Sequence, residues 1–327
     1  MALPSWVTDS TGQGYRTLVN VSKNVRHASQ PMYRFRQFVE TEPGYGKQAG
    51  DTFDIYRVPY SPPTTDSEFG ELERIPQLTV VPTRRSLTIK NRGRAIPFTG
   101  QLEDLAELDV ESNVFTQFLK NHQSASLDIA AANAFKTSDL IYAPTTSAAG
   151  VFDGDGTAST TALVAAGTYH IKEVVDAMKT GSFGAAGTGR PIPYHTGSEF
   201  ICIASVKFMR GLKDDPDWVY AATYANEKGL YSGEVGSMPY YQVRFVEDNF
   251  ASSLSNGVGS GSVLGEAVIF GADSVREIVV VPEEIREKIP ENYGLDKGIA
   301  WYSLLGFGRV WDFSTDGEEH IVRFASA

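Results

Sequence analysis

Between Arg84 and Arg94 the chain carries the cations Arg84, Arg85, Lys90, Arg92 and Arg94 with no acid among them. One sign of charge therefore runs along the whole stretch, and its chemistry is that of contact with anions. Opposite charge gathers near the other end, where Glu283, Glu284, Glu287 and Glu291 cluster. In the first forty residues Arg16, Lys23, Arg26, Arg34 and Arg36 outnumber Asp9 and Glu40. A basic front half and an acidic back half suit head-to-tail contact between copies.

Motifs for bond-making chemistry are weak. Asp153 and Asp155 in DGDG offer hard oxygen ligands, but a calcium loop needs further ligands and a bidentate Glu that do not follow, so a solvated turn is the reading. Gly259, Gly261 and Gly265 in GSGSVLG lack the spacing of a dinucleotide loop, and no strand leads into them. The histidines His27, His122, His170, His195 and His320 are dispersed, with no paired-His zinc helix and no nucleophile elbow. His122 falls on an apolar helix face, where a satisfied core imidazole is the default. The pairs Asp214-Asp215 and Glu318-Glu319 read as solvated faces, and Tyr240-Tyr241 and Trp301-Tyr302 as core or interface anchors. No cofactor and no catalytic residue is expected.

At 327 residues the chain can bury a substantial core in one to three domains. The net charge of -11 argues against a protein that wraps nucleic acid by neutralising phosphates. Apolar runs such as Ile278 to Val281 are far shorter than the roughly 20 residues that span a bilayer, and Met1 to Thr11 lacks the basic flank and apolar stretch of a signal. Cys202 is the one cysteine, so no intramolecular disulfide can form, and FICIAS around it reads as a buried strand.

The elements that would position the basic run are a β-rich limb and a helix. Leu87, Ile89 and Ile96 are separated by polar residues, the period-two signature of a strand with one covered face. YSPPTTDSEFGELERIP interrupts the limb as a long turn or hairpin tip. Because an isolated hairpin is marginal in water, the limb either lies on the acidic surface of another molecule or folds back on its own domain with a solvated basic edge. The first fifty residues, rich in Gly, Pro, Ser and Gln, read as an extended segment that needs a partner to order it. From Ser112, a plausible N-cap, Phe115, Phe118, Leu119, His122, Ala125 and Ile129 recur at helical spacing, predicting a helix of about twenty-five residues. Residues 144–168 read as a small-residue link and domain boundary. Beyond it the pattern is α/β: a helix capped by Thr168, a strand at FICIAS, helices at VKFMRGLKDD and WVYAATYANEKG, and strands at YYQVRFVE, EAVIFG, REIVVVP and EEHIVRFA.

In their order and spacing, GYGKQAGDTFDIYRVPY (44–60), LTIKNRGRAIPFTGQLEDLAELDV (87–110), YSGEVGSMPYYQVRFVEDNF (231–250) and VIFGADSVREIVVVP resemble the major capsid protein of tailed double-stranded DNA bacteriophages. The resemblance is closer still to the coat proteins of N-four-like podoviruses. It implies an α+β, Hong Kong 97-type capsid fold: an N-terminal arm over 1–50, an extended β-hairpin loop over 51–101, a peripheral domain with a long spine helix over 102–168, an axial α/β domain over 169–300, and a return to the periphery over 301–327.

It also implies a function, self-assembly through hexamers and pentamers into an icosahedral head shell in the virion, put together in the host cytoplasm. The partners expected are further copies, separate scaffolding, portal and decoration proteins, and packaged DNA held non-specifically, with no membrane. Arg84, Arg85, Lys90, Arg92 and Arg94 would meet Glu283, Glu284 and Glu287 of a neighbour, and Arg16, Lys23 and Arg26 could face DNA. Many relatives begin with a cleaved scaffolding-like segment. None precedes the arm here, so scaffolding is expected as a separate protein or the chain as a processed form. The Lys to Asn cross-link of some relatives matches no residue here, and Lys90 is not assigned it. An encapsulin-like bacterial nanocompartment shell is the alternative within the same fold.

Overall fold

The computed structural model describes residues 31, 33–42, 50–58, 68–105, 114–156, 164–225, 236–238, 241–250, 252–257, 265–290 and 292–324. In chain order its elements begin with strands β1 (Glu40–Thr41), β2 (Thr52–Arg57), β3 (Thr83–Thr88) and β4 (Lys90–Thr99), then helices α1 (Gly100–Leu105) and α2 (Thr116–Phe135). Next come β5 (Ile141–Thr146), β6 (Ala149–Asp153), α3 (Thr168–Thr180), β7 (Phe200–Ser205), α4 (Val206–Lys213) and α5 (Pro216–Ala225). The chain continues through β8 (Gly236–Met238), β9 (Val243–Asp248), β10 (Ala267–Phe270), β11 (Val275–Glu287), β12 (Asp296–Arg309), α6 (Phe313–Asp316) and β13 (Ile321–Phe324).

A seven-stranded sheet runs in the order β6-β5-β13-β10-β7-β9-β8. Its central strands are apolar on both faces. Phe200, Cys202 and Ala204 of β7 face α3 and α4, while Ile201 and Ile203 face Phe35 and the C-terminal end of α2. A strand covered on both sides must read as an unbroken apolar run, which is why FICIAS and AVIF look as they do. Burial around Cys202 pushes its thiol pKa up, as fits an inert packing residue.

A four-stranded sheet, β1-β11-β12-β4, forms the second layer. Against it lies the N-terminal half of α2, with Leu119 packed among Phe98, Ile299 and Trp301. The same helix then reaches the larger sheet through Ala131, Ala132, Ala134 and Phe135. Its alanines let the backbone approach both sheets, so α2 is a strut of about 30 Å tying them together. The helix is shorter than its apolar spacing predicts. Phe118, expected on the covered face, is exposed, and the Ser112 cap lies outside the described residues. His122 is satisfied as expected, accepting the Trp301 indole N–H at 3.2 Å.

The remaining pair, β2 and β3, forms an antiparallel hairpin from Thr52↔Thr88 to Arg57↔Thr83. Its root is seated on the chain's own body: Leu87 and Ile89 are buried against Ile278, with Phe53, Ile55 and Leu304 at the margin. The strand after it, β4, pairs with β12 along its full length, from Lys90↔Leu305 to Thr99↔Asp296. Of the two readings of the limb, folding back on the own domain therefore holds for the root and for β4. A Cβ on Gly306 of β12 would lie 2.7 Å from the Thr88 carbonyl oxygen, so the hairpin can approach only because that residue is glycine. Gly306→Ala is expected to destabilise the chain by about 1–3 kcal/mol through overpacking against backbone, read as a lower urea midpoint.

Several expectations are corrected. Residues 33–42 need no partner to order them: Phe35 is fully buried, and β1 pairs in parallel with β11. The expected link 144–168 takes in the end of β5 and all of β6, an integral edge of the larger sheet, with Asp155 closing a turn on Asp153, while its residues 157–163 lie outside the described residues. The cap of α3 is Gly167 rather than Thr168, and Asp215 reaches across to accept the Thr168 N–H at 2.8 Å. β5 and β6 lie in the sheet of α3 and α4, β11 lies beside the strand that carries α2, and β13 returns to the larger sheet.

Candidate subunit interface

The hairpin projects from a root fixed by charge. Arg57 of β2 is buried and donates to the Val310 carbonyl at 2.8 Å, while Arg85 of β3 donates to the Asp312 carboxylate. Asp312 also receives Arg309 Nη2 at 3.2 Å, and Arg309 donates in addition to Glu319 at 2.8 Å and Asp139 at 3.0 Å. Both strands of the hairpin are thus held at one corner, the end of β12. Burial opposes the charge of Arg309, but Glu319, Asp139 and Asp312 outweigh it and raise its pKa. Burial pulls Asp312 upward, yet the Ser314 hydroxyl and the Arg309 and Arg85 guanidiniums hold it at about 2. Glu319 is enclosed completely, and burial pushes it up to about 8 even against Arg309. The pair Glu318-Glu319 is therefore no solvated face, since both residues are buried.

A second cluster fastens the N-terminal segment. Arg36 donates to Glu277 at 2.9 Å and to Glu283 at 2.7 Å, and its hydrogen bond lowers the Glu283 pKa. Buried Asp128 of α2 accepts the backbone N–H groups of Phe35 (2.8 Å) and Arg36 (3.0 Å). Part of the front-to-back charge complementarity is accordingly satisfied within one chain.

The residues singled out in the sequence separate into two groups. Arg84 lies 3.4 Å from Asp54 across the hairpin, Arg85 meets Asp312, Glu283 meets Arg36, and Glu284 takes Arg286 at 2.6 Å. Lys90, Arg92, Arg94 and Glu287 form no ion pair among the described residues. Nor does an ion pair there join the basic set to the acidic one. Arg16, Lys23 and Arg26 lie outside the described residues. Missed in the sequence were Arg57, Asp128, Asp139, Arg309 and Asp312, which, apart from the local contacts of Arg309 with Asp312 and Glu319, find their partners far away along the chain.

Among the described residues beyond its root, 68–82, the hairpin is largely uncovered. Phe69, Leu72, Ile75, Leu78, Val80 and Val81 all stand exposed, Leu72 at 99% of its full area. Six exposed apolar side chains within thirteen residues are the pattern of a contact surface. Among the described residues no group of three or more His, Cys, Asp or Glu side chains could hold a metal, and no helix is long and apolar enough to cross a membrane.

No family model and no curated protein matches the chain. Solved structures do, from end to end. The capsid of Helicobacter pylori bacteriophage KHP30 is similar at a TM-score of 0.68 and 12% identity, covering 97% of this chain and 98% of that one. The capsid of Ralstonia phage GP4 gives 0.67 at 11% identity, covering 98% of both chains. The capsid asymmetric unit of cyanophage Pam1 gives 0.61 at 16% identity, covering 99% of this chain and all of that one. With helix α2 braced across two sheets and a hairpin standing off the body, the chain has the mixed helix-and-sheet fold of bacteriophage capsid proteins.

Proposed function

We propose that the chain is the major capsid protein of a tailed double-stranded DNA phage, whose copies associate through hexamers and pentamers into the icosahedral head shell of the virion. The observation that carries this reading is the hairpin, which is held at the root and carries beyond it an apolar stretch that stands exposed among the described residues. A monomer gains nothing from such a tip, whereas a closed shell covers every one of them. The whole-chain likeness to phage capsids supports the same reading and favours it over an encapsulin shell. The role is structural, with no reaction assigned to any residue.

Lys90, Arg92, Arg94 and Glu287, which form no ion pair among the described residues, are the members of the predicted interface best placed to meet a neighbour. Arg85 and Glu283 already have partners within the chain. Arg16, Lys23 and Arg26 remain candidates for contact with packaged DNA, and scaffolding, portal and decoration proteins are expected as separate partners. An acidic chain suits a container, since a wall that does not grip DNA lets the genome slide in and out.

Electron microscopy of the expressed full-length chain tests the proposal. Closed shells, or capsomers of five and six lobes, are the expected result. A chain that stays monomeric from low to high salt would overturn it.

A further inference from the structure

A groove of about 610 Å³ runs between α2 and the start of β4. Five side chains that line it carry hydrogen-bond donors: Lys90 and Arg92 from the strand, and His122, Ser126 and Asn133 from the helix. None of its lining residues is Asp or Glu. Asp128, the single acid of α2, is engaged outside the groove, where it accepts the backbone N–H groups of Phe35 and Arg36. The groove therefore gathers donors without an anion of its own.

These donors are not engaged within the chain. Among the described residues Lys90 and Arg92 form no ion pair, and the side chains of Ser126 and Asn133 form no hydrogen bond. The Nε of Arg92 is shielded from water and has no partner, which costs free energy until the guanidinium turns onto an acceptor. His122 adds a donor whose proton can be located. The Trp301 indole can only donate, so the His122 Nδ1 that meets it at 3.2 Å accepts, and the neutral ring holds its proton on Nε2. An arginine fork beside a lysine ammonium suits phosphate oxygens. A tetrahedral phosphate presents oxygens in several directions and can meet donors on both walls, whereas a planar carboxylate turns its two oxygens to one side.

We infer that this groove is a binding site for a phosphate group, held by Lys90 and Arg92 on the β4 side and by His122, Ser126 and Asn133 on the α2 side. The inference goes beyond the shell proposal and needs no second copy. A neighbour's carboxylate and a phosphate are rivals for the same two cations, and the choice of probes separates them. The phosphate has two sources, free phosphate compounds and the DNA backbone, which the probes also distinguish.

The unassembled full-length chain, titrated calorimetrically at fixed ionic strength with pyrophosphate and separately with a short DNA duplex, tests the inference. Saturable binding is expected. Saturation by pyrophosphate but not duplex supports the site with free phosphate as its source, and saturation by duplex supports it with the DNA backbone as its source. Arg92→Gln and Lys90→Gln should each weaken the binding about tenfold or more, the loss of one charge-assisted hydrogen bond. Arg210→Gln, which removes an exposed cation of α4, should leave it unchanged. Glutarate binding as tightly as pyrophosphate would return the groove to a carboxylate partner and overturn the inference. So would binding that never saturates, or a loss in Arg210→Gln equal to that in Arg92→Gln. Should Arg92→Gln fail to fold, Lys90→Gln decides, since Lys90 is exposed. Independently of any variant, the nitrogen resonance of His122 Nε2 should shift as the wild-type chain is saturated with the probe that binds, and a resonance that stays in place would overturn the site.

Discussion

Replacing Arg309 with Met is expected to destabilise the folded chain by about 3–5 kcal/mol, because it takes the counter-ion from the buried Asp312 and partly buried Asp139 carboxylates and the hydrogen-bond donor from the enclosed Glu319. Arg309 is 7% exposed and Glu319 1%, and one planar guanidinium serves Glu319, Asp139 and Asp312 at once. Arg309→Lys should recover only part of the loss, since a point charge on a flexible stem cannot span all three acids. The loss should also reach the hairpin. Asp312 is the acid that holds Arg85, so its release should make the β2–β3 root susceptible to protease before the rest of the chain. Urea unfolding of the isolated subunit measures the first effect, and a loss below about 1 kcal/mol would mean the cluster is solvated rather than structural.

The same cluster sets a pH dependence whose sign can be worked out. Glu319 has a folded pKa of about 8, above the ordinary 4.5, so the native state holds its proton more tightly than the unfolded chain does. Stability from this group is complete below the unfolded value and is withdrawn as pH climbs toward 8, at up to about 1.4 kcal/mol per unit. Asp312 behaves oppositely: it is held at about 2, so its contribution is present above the unfolded 3.8 and disappears as pH falls toward 2. The cluster therefore contributes most between 3.8 and 4.5. Glu319→Gln should flatten the alkaline side of the profile, and an unchanged slope between about pH 5 and pH 8 would show that Glu319 does not titrate there.

What the sequence disclosed follows from how local each cause is. Leu87 and Ile89 on one face of a strand, the apolar runs of β7 and β10, and the alanines of α2 announce themselves within a few residues, and each is buried as its pattern requires. The edge hairpin β5–β6 was hidden because its small residues carry no period of their own and gain their place only from β13. The 14-residue strand β12 was obscured by Gly298, Gly306 and Gly308, which look like breakers but are there to admit β4, Thr88 and Leu87. The interface was the hardest part. A run of cations reads as uniform in sequence, yet Arg85 is engaged by Asp312, 227 residues away, while Arg92 has no ion-pair partner among the described residues. Arg36 likewise finds Glu277 across 241 residues of chain. Pairings of that separation depend on the finished fold and leave no local trace.

Substituting Phe69, Leu72, Leu78 and Val81 together with Ser is expected to abolish shell formation while leaving the subunit as stable as before. All of them are exposed, so the folded monomer makes little use of them, and surface changes of this kind usually stay within about 0.5 kcal/mol. On a neighbour the balance reverses. Burying an apolar side chain of this size is worth about 1.5–3 kcal/mol, so their joint loss removes several kcal/mol from every contact in which a tip is buried. At about 1.4 kcal/mol for each factor of ten, the concentration needed for assembly should rise by orders of magnitude. Sedimentation of the expressed variant would then find folded, unassembled subunits whose urea midpoint matches wild type. Shells at normal yield would show that the tip is not buried in the particle, and a lowered midpoint would show that it packs on its own chain. On the proposed shell reading, the two ends of the hairpin would divide the work of assembly. The root, locked to the body by Arg57 and Arg85, fixes its direction, and the exposed apolar tip is the part a second copy would bury.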